Sequence, residues 1–260
     1  MSGSTAAPTY REYPPHPGLA GHVACYWTSR GAAPLPGAVH RHRVVPDGCT
    51  DFLIDYRTHK VRAVGTMTRP LEVAQAGPVD VLGIRFRPGA LPAFLDTPVD
   101  EFTDRTVDLA DAGDAETARS LDGVFSIGPT AERLAHLDRV LGARLALGGN
   151  RVDAAALHVA ALVGRSGGRT SVGELADAVG LGRRQLERRF RAAVGVSPGV
   201  AGRVTRFQAA LRRLHAELGV SLARAALDAG YYDQAHFTRE FRALAGESPG
   251  AYRRRRGLDG

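Results

Sequence analysis

Ten of the 23 residues from Asp177 to Gly199 recur 51 positions further along the chain. Asp177-Ala178 falls on Asp228-Ala229, Arg188 on Arg239, and Phe190-Arg191-Ala192 on Phe241-Arg242-Ala243. Gly195 falls on Gly246, and Ser197-Pro198-Gly199 on Ser248-Pro249-Gly250. A repeat at fixed spacing means one supersecondary unit built twice. The C-terminal segment must therefore fold as a tandem pair, and a role given to a residue in one copy has to make sense in the other.

Each copy opens on a short helix with small apolar residues, "SVGELADAVG" or "SLARAALDAG". Ser171 and Ser221 are the expected N-caps, and Glu174, three residues after Ser171, completes a capping box. A turn follows, "LGR" or "YYD". The second helix carries apolar anchors four apart, Leu186 and Phe190 or Phe237 and Phe241, which point inward together. Gly195 and Gly246 suit a left-handed C-cap, and the proline after each prevents continuation.

Helix, short turn and basic helix make a helix-turn-helix. In that motif the second helix lies in the major groove and its N-terminal residues reach base edges. With the inward positions assigned, the outward ones are the candidates for DNA contact. They are Arg183, Arg184, Glu187, Arg188 and Arg191 in the first copy, and Asp233, Gln234, Ala235, Thr238, Arg239 and Arg242 in the second. Arg188 and Arg191 recur as Arg239 and Arg242, which fits phosphate or guanine contact.

The connecting segment places Val200, Val204, Phe207, Leu211, Leu214 and Leu218 on one helical seam. About 19 residues at about 1.5 Å each span roughly 28 Å. Successive major-groove faces on one side of a duplex recur about every 34 Å. One chain can thus reach two consecutive grooves, and the tail "YRRRRG" adds charge for the backbone.

The charge follows the repeat. Residues 1–150 hold 15 Lys+Arg against 17 Asp+Glu, whereas residues 151–260 hold 19 Arg against 10 Asp+Glu. A basic half beside a near-neutral half points to a polyanion binder joined to something else. A genome bias toward Arg explains why Lys60 is the only lysine, but not this asymmetry.

Residues 10–100 read as mostly β. "HVACYWTSR", "HRVVPDGCTDFLIDY", "KVRAVGTMT" and "VDVLGIRFRPG" are short apolar or alternating runs broken by turn residues, which favours a small barrel or sandwich. From about Pro92, "ALPAFLDTP" and "VDLADAGDAETARSLDGVF" look like short helices. Thr130–Leu147 puts Leu134, Leu137, Val140, Leu141 and Leu145 on one face, either a dimer seam or a face buried against its own domain. "GGN" at 148–150 ends it and marks the expected boundary. The expectation is an α+β multidomain chain: residues 1–148 a β-rich sensing or dimerising domain with trailing helices, residues 150–256 an all-α DNA-binding domain. Within the latter, the units span about 171–195 and 221–246, with a linker helix over about 198–218.

The C-terminal residues resemble the DNA-binding domain of AraC/XylS transcription regulators over roughly 155–256. The most specific part is "A-x-x-x-G-Y-x-D-x-x-x-F-x-R-x-F-R-x-x-x-G-x-S-P-x-x-Y-R", here Ala226 to Arg253. The resemblance implies two helix-turn-helix units joined by a long helix. It implies base-reading positions at Arg184, Glu187 and Arg188, and at Ala235, Thr238 and Arg239. Ala235 has no polar side chain, which limits that contact to a thymine methyl. The N-terminal part resembles, through "VVPDGCTDFLIDY" and "LGIRFRPGA", a domain found ahead of this module in actinobacterial regulators. That resemblance implies a small cupin-like β-barrel used for sensing or dimerisation.

These features predict a sequence-specific activator or repressor that binds double-stranded DNA and answers to an unidentified small-molecule effector. A homodimer, and RNA polymerase for an activator, are the remaining candidate partners. Arg85 and Arg87, alternating with Ile84 and Phe86, are candidates to line an effector pocket, as are His40 and His42, which share a strand face. His40 and His42 lack a third ligand, so no metal or other cofactor is expected. His236 has no ligand partner at metal spacing and reads as helix surface, and Tyr231 and Tyr232 as packed in the turn. No long apolar run or signal peptide is read, and two cysteines, Cys25 and Cys49, fit a reduced cytoplasmic setting without a disulfide framework. No catalytic residue is assigned. Two alternatives stay open: a DNA-targeted alkyl-accepting repair protein using Cys49, and a non-specific nucleic-acid binder.

Overall fold

A computed structural model describes residues 8–34, 39–112, 115–148 and 152–258. Eight strands come first: β1 Thr9–Tyr13, β2 Val23–Gly31, β3 His40–Val44, β4 Thr50–Asp55, β5 Lys60–Val64, β6 Leu71–Gln75, β7 Val79–Phe86 and β8 Thr106–Asp108. Six form one sheet in the order β1-β2-β7-β4-β5-β8, with every neighbour antiparallel. β3 and β6 pair only with each other, as a separate antiparallel ribbon. The β region is therefore two sheets, and it is not closed into the expected barrel.

The period-two alternation of strands divides the six-stranded sheet into two unlike faces. Tyr26, Phe52, Ile54, Ala63, Ile84 and Phe86 are fully buried on one face, where they pack with Leu137 and Leu141. The opposite face presents Trp27, Asp51, Leu53, Arg62, Val81 and Arg85 to a cavity of about 830 Å³, whose far wall carries Val73 and Gln75 of the ribbon. Gly83 makes room for Trp27: a Cβ there would lie 2.0 Å from the indole.

Nine α-helices follow among the described residues: α1 Ala115–Asp122, α2 Thr130–Gly148, α3 Ala154–Arg165, α4 Val172–Ala178, α5 Arg183–Val194, α6 Pro198–Ala216, α7 Leu222–Asp228, α8 Gln234–Ala245 and α9 Pro249–Arg256. The leucine face of α2 closes on its own region. Leu137 and Leu141 are fully buried, and Leu134, Val140 and Leu145 pack beside them. Asp138 ties the helix to the sheet by accepting from the Tyr26 hydroxyl at 2.8 Å.

Of the stretch expected to be helical after Pro92, Ala115–Asp122 is helix α1, while the rest contains short 3-10 turns and β8, which pairs with β5 through Arg62–Asp108, Ala63–Val107 and Val64–Thr106. A three-residue edge strand has no room to display an alternation of its own; its partner, more than forty residues earlier, selects it.

The helical region holds two adjacent cores, one per repeat. Leu186 and Phe190 are fully buried with Val159 and Leu175 in the first, and Phe237 and Phe241 with Phe207 and Ala226 in the second. Burying one such aromatic side chain contributes about 2 to 3 kcal/mol. α6 serves both cores: Val200 and Ala201 near its start pack on the first, and Phe207, Leu211 and Leu214 lie in the second.

Candidate nucleic-acid interface

Local chemistry sets the ends of α4, α5, α7 and α8, with serine caps on α4 and α7 and glycine C-caps on α5 and α8 in both copies. Ser171 accepts from Glu174 N at 3.3 Å while Ser171 N donates to the Glu174 carboxylate at 2.8 Å, a complete capping box. Ser221 accepts from Arg224 N at 3.1 Å, and the Asp233 carboxylate caps α8 through His236 N at 2.6 Å. Gly195 and Gly246 end α5 and α8 at φ of 90° and 75°, a region costly for other residues. Ser197-Pro198 and Ser248-Pro249 do more than stop a helix. Each serine caps the next helix, and each proline fills its first turn, where a missing N–H costs nothing.

The outward residues lie where the repeat places them. Arg183, Arg184, Glu187, Arg188 and Arg191 are exposed along α5. On α8, Gln234, Ala235, Arg239 and Arg242 are exposed and Thr238 is half-buried, its hydroxyl donating to Gln234 O at 2.8 Å. Arg183 rests against Gly173 of α4, where a Cβ would meet its guanidinium at 2.6 Å.

The other arginines of this region show why these stand apart. Arg189 forks onto Asp153 at 2.6 and 2.8 Å and fastens α5 to the start of α3. Arg203 and Arg206 share Glu240 at 3.0 and 3.4 Å, and Arg213 holds Asp228 at 2.9 Å. Arg184, Arg188, Arg191, Arg239 and Arg242 pair with no carboxylate among the described residues. The structural arginines are neutralised in place, while those on the exposed faces of α5 and α8 keep their charge for a partner.

His236 belongs to the framework: its ring lies 3.5 Å from Glu240 and edge-on to Tyr231 at 5.4 Å. Tyr231 is buried in the turn, as its neighbours suggest. Tyr232 is 89% exposed, so the packed reading fails for it. In this turn the second aromatic is left in solvent.

The β region grips this helical pair at the C-terminal ends of α5 and α8. Thr66 donates to Val194 O and Thr103 to Gly195 O, at the C-terminus of α5. Arg43 donates to Ala245 O at 3.0 Å, at the C-terminus of α8, and also meets Glu247 at 3.3 Å. Val194 and Ala245 are equivalent positions of the repeat. The last carbonyls of a helix lack intrahelical partners and carry its negative end, which suits a hydroxyl donor or a guanidinium. Between the two grips, Gln208 of α6 donates to Pro46 O at 2.6 Å.

The N-terminal candidates separate. His42 lines the cavity and His40 does not, although their rings stack at 6.2 Å. Burial, then neighbouring His40, lowers the His42 pKa, so the ring is neutral at pH 7. Among the described residues no group of three potential ligands could hold a metal. Arg85 lines the cavity but is held by Asp47 and Asp51, each at 3.3 Å. Burial would depress its pKa; the two carboxylates outweigh that and raise it. Arg87 lies off the cavity and donates to Ala20 O at 2.7 Å. Sequence reasoning missed Trp27, Asp51, Arg62 and Gln75 as cavity residues; only strict alternation within β2, β4, β5 and β6 pointed to them.

Residues 175–255 match the family model described as a helix-turn-helix domain, and residues 11–108 match a domain of unknown function, DUF6597. No curated protein matches. Among solved structures, a probable AraC family transcriptional regulator from Rhodopseudomonas palustris is 25% identical over 40% of this chain and 97% of its own, with a TM-score of 0.35. The C-terminal domain of AraT, a response regulator from Geobacillus stearothermophilus, is 20% identical over 41% and 88%, with a TM-score of 0.38. ToxT from Vibrio cholerae is 10% identical over 83% and 97%, with a TM-score of 0.45. No helix among the described residues is long and apolar enough to cross a membrane. With a helix-turn-helix family match laid over a repeat whose capped helices expose unpaired arginines, residues 175–255 form the helix-turn-helix domain of a DNA-binding regulator, and a DUF6597 match lies ahead of it.

Proposed function

We propose that the chain reads a specific operator with α5 and α8, and that a small molecule in the N-terminal cavity sets how well it does so. The two functional units are residues 1–148 and 150–256. The observation that carries the control is the double use of β3. His42 and Val44 line the cavity, while Arg43 between them reaches the end of α8. In a strand, neighbouring side chains must face opposite ways. A ligand that shifts this strand therefore acts on the contact with α8 without touching DNA. Thr66, which holds α5, is next to Met67 on the cavity wall.

On this reading Arg184 and Arg188 take guanine O6 and N7, Glu187 accepts from cytosine N4, and Thr238 and Arg239 read the second half-site. Arg183, Arg191, Gln234 and Arg242 fix register on the backbone. The alkyl-acceptor alternative is disfavoured because burial, and after it Asp47, pushes the Cys49 thiol far above its ordinary range. The thiolate is the reactive form.

The test is selection of binding sites from random duplexes, followed by titration of the best site against scrambled DNA. A specific reader prefers its site by about 10³-fold or more. Equal affinity for both, with one salt slope, would leave only a non-specific binder.

A further inference from the structure

We propose that the cavity between the six-stranded sheet and the β3–β6 ribbon binds an uncharged, largely apolar molecule, one that donates a hydrogen bond to Gln75 Oε1 and accepts one from Arg62 Nε. The regulatory meaning of this site rests on the effector reading above; its ligand chemistry does not.

Charge is settled first. Arg85 lies between Asp47 and Asp51 at 3.3 Å each, and Trp27 Nε1 donates to Asp51 at 2.7 Å. Arg62 pairs with Asp55 at 3.3 Å, and Asp80 with Arg30 at 3.0 Å. Each of these lining carboxylates is already paired, Asp47 and Asp51 sharing Arg85. Arg57, which lines the rim, is exposed and donates to Pro78 O at 2.8 Å. A cationic ligand would have to break one of these pairs, and an anionic one would find only Arg57, where solvent screens the charge.

Shape and surface come next. About 830 Å³ lies within the range of small-molecule sites. Leu53, Val64, Met67, Val73, Val79 and Val81 supply apolar wall from both sheets. Trp27 adds an indole, with the Tyr10 ring 5.7 Å away.

The two polar contacts follow from what is left unpaired. Gln75 is 7% exposed, and its Nε2 donates to Ala32 O at 3.2 Å and Gly77 O at 2.9 Å. Two carbonyl acceptors fix the orientation of the amide. Its Oε1 is left buried with no partner, as is Arg62 Nε. Among the described residues, these are the buried partnerless side-chain atoms that belong to cavity-lining residues. Native proteins seldom leave such atoms unmet. They lie on opposite walls, one on β6 and one on β5, and the proposed ligand turns both side chains toward it.

The test uses the full chain and a matched pair of fluorescent probes. N-phenyl-1-naphthylamine is neutral, apolar and has one N–H; 8-anilinonaphthalene-1-sulfonate is the same skeleton with an added anion. The neutral probe is expected to bind at least about tenfold more tightly. Val73→Trp and Val81→Trp, each filling the cavity from a different wall, abolish its signal while circular dichroism stays unchanged. Gln75→Met weakens the neutral probe severalfold but leaves 1-phenylnaphthalene, which has no donor, unaffected in competition. Sulfonate binding as tight as the neutral probe, or neutral binding indifferent to both tryptophan variants in folded protein, overturns the proposal. Affinity for selected DNA at saturating neutral probe is read separately. If it does not change, the effector reading fails and the ligand class stands; if the sulfonate wins, the class fails and the reading stands.

Discussion

Arg43 of β3 donates to the carbonyl of Ala245, 202 residues later in the chain, at 3.0 Å. Thr66 makes the matching contact to Val194, 128 residues later. Ala245 and Val194 are the same position in the two copies of the repeat. One β region therefore holds α5 and α8 by their equivalent ends.

Arg43→Ala removes the grip on α8 alone. The guanidinium is about one-third exposed and shares itself with Glu72 and Glu247, so the stability lost is modest, about 1 kcal/mol. The sharper effect is local. Amide exchange at Gly246 and in the last turn of α8 should quicken, with the corresponding turn of α5 unchanged. Equal quickening in both helices would mean that Arg43 serves general stability.

Thr66→Val and Thr103→Val strip the grip on α5 and leave carbonyl acceptors without donors. Each should cost about 1 to 3 kcal/mol by chemical denaturation, Thr66 more than Thr103 because its bond is the more buried. The amide-exchange pattern should mirror that of Arg43→Ala, with α5 loosened and α8 spared.

Asp51 gives the chain a defined pH response. Burial raises its pKa from 3.8 to about 6, against the pull of Arg85 and the hydrogen bond from Trp27. The folded state therefore holds a proton that the unfolded state has released between about pH 4 and pH 6. Stability from this group falls as pH rises through that window and is level above it, by about 3 kcal/mol at most. Asp51→Asn should flatten that part of the stability profile, measured by urea titration at pH 4.5 and 7. An unchanged slope would place the titration elsewhere.

The helical half was readable because its information is local and written twice. Caps at Ser171 and Ser221, glycines at 195 and 246, and the paired anchors all act within a few residues of themselves. The β half was readable only as strands. Which strands pair, that β3 and β6 leave the main sheet, and that Thr106–Asp108 joins its edge are decided by partners far away in sequence. The same holds for function. The outward arginines of α5 and α8 follow from helical geometry. Arg85 and Arg87, two residues apart on the sequence, part company because the carboxylates of Asp47 and Asp51 claim one and the Ala20 carbonyl claims the other. The grip of Arg43 on Ala245 left no mark in either local pattern.

Comparing Arg188→Ala with Arg239→Ala in site selection from random DNA tests directly the proposal that α5 and α8 each read bases. Each substitution should cost roughly 1 to 3 kcal/mol and relax one base position, and the two positions should lie about one helical turn apart. Arg189→Ala, which removes a structural pair, should lower stability and relax neither. Relaxation at the same position by both variants, or a uniform loss across all sequences with only a reduced salt slope, would contradict it.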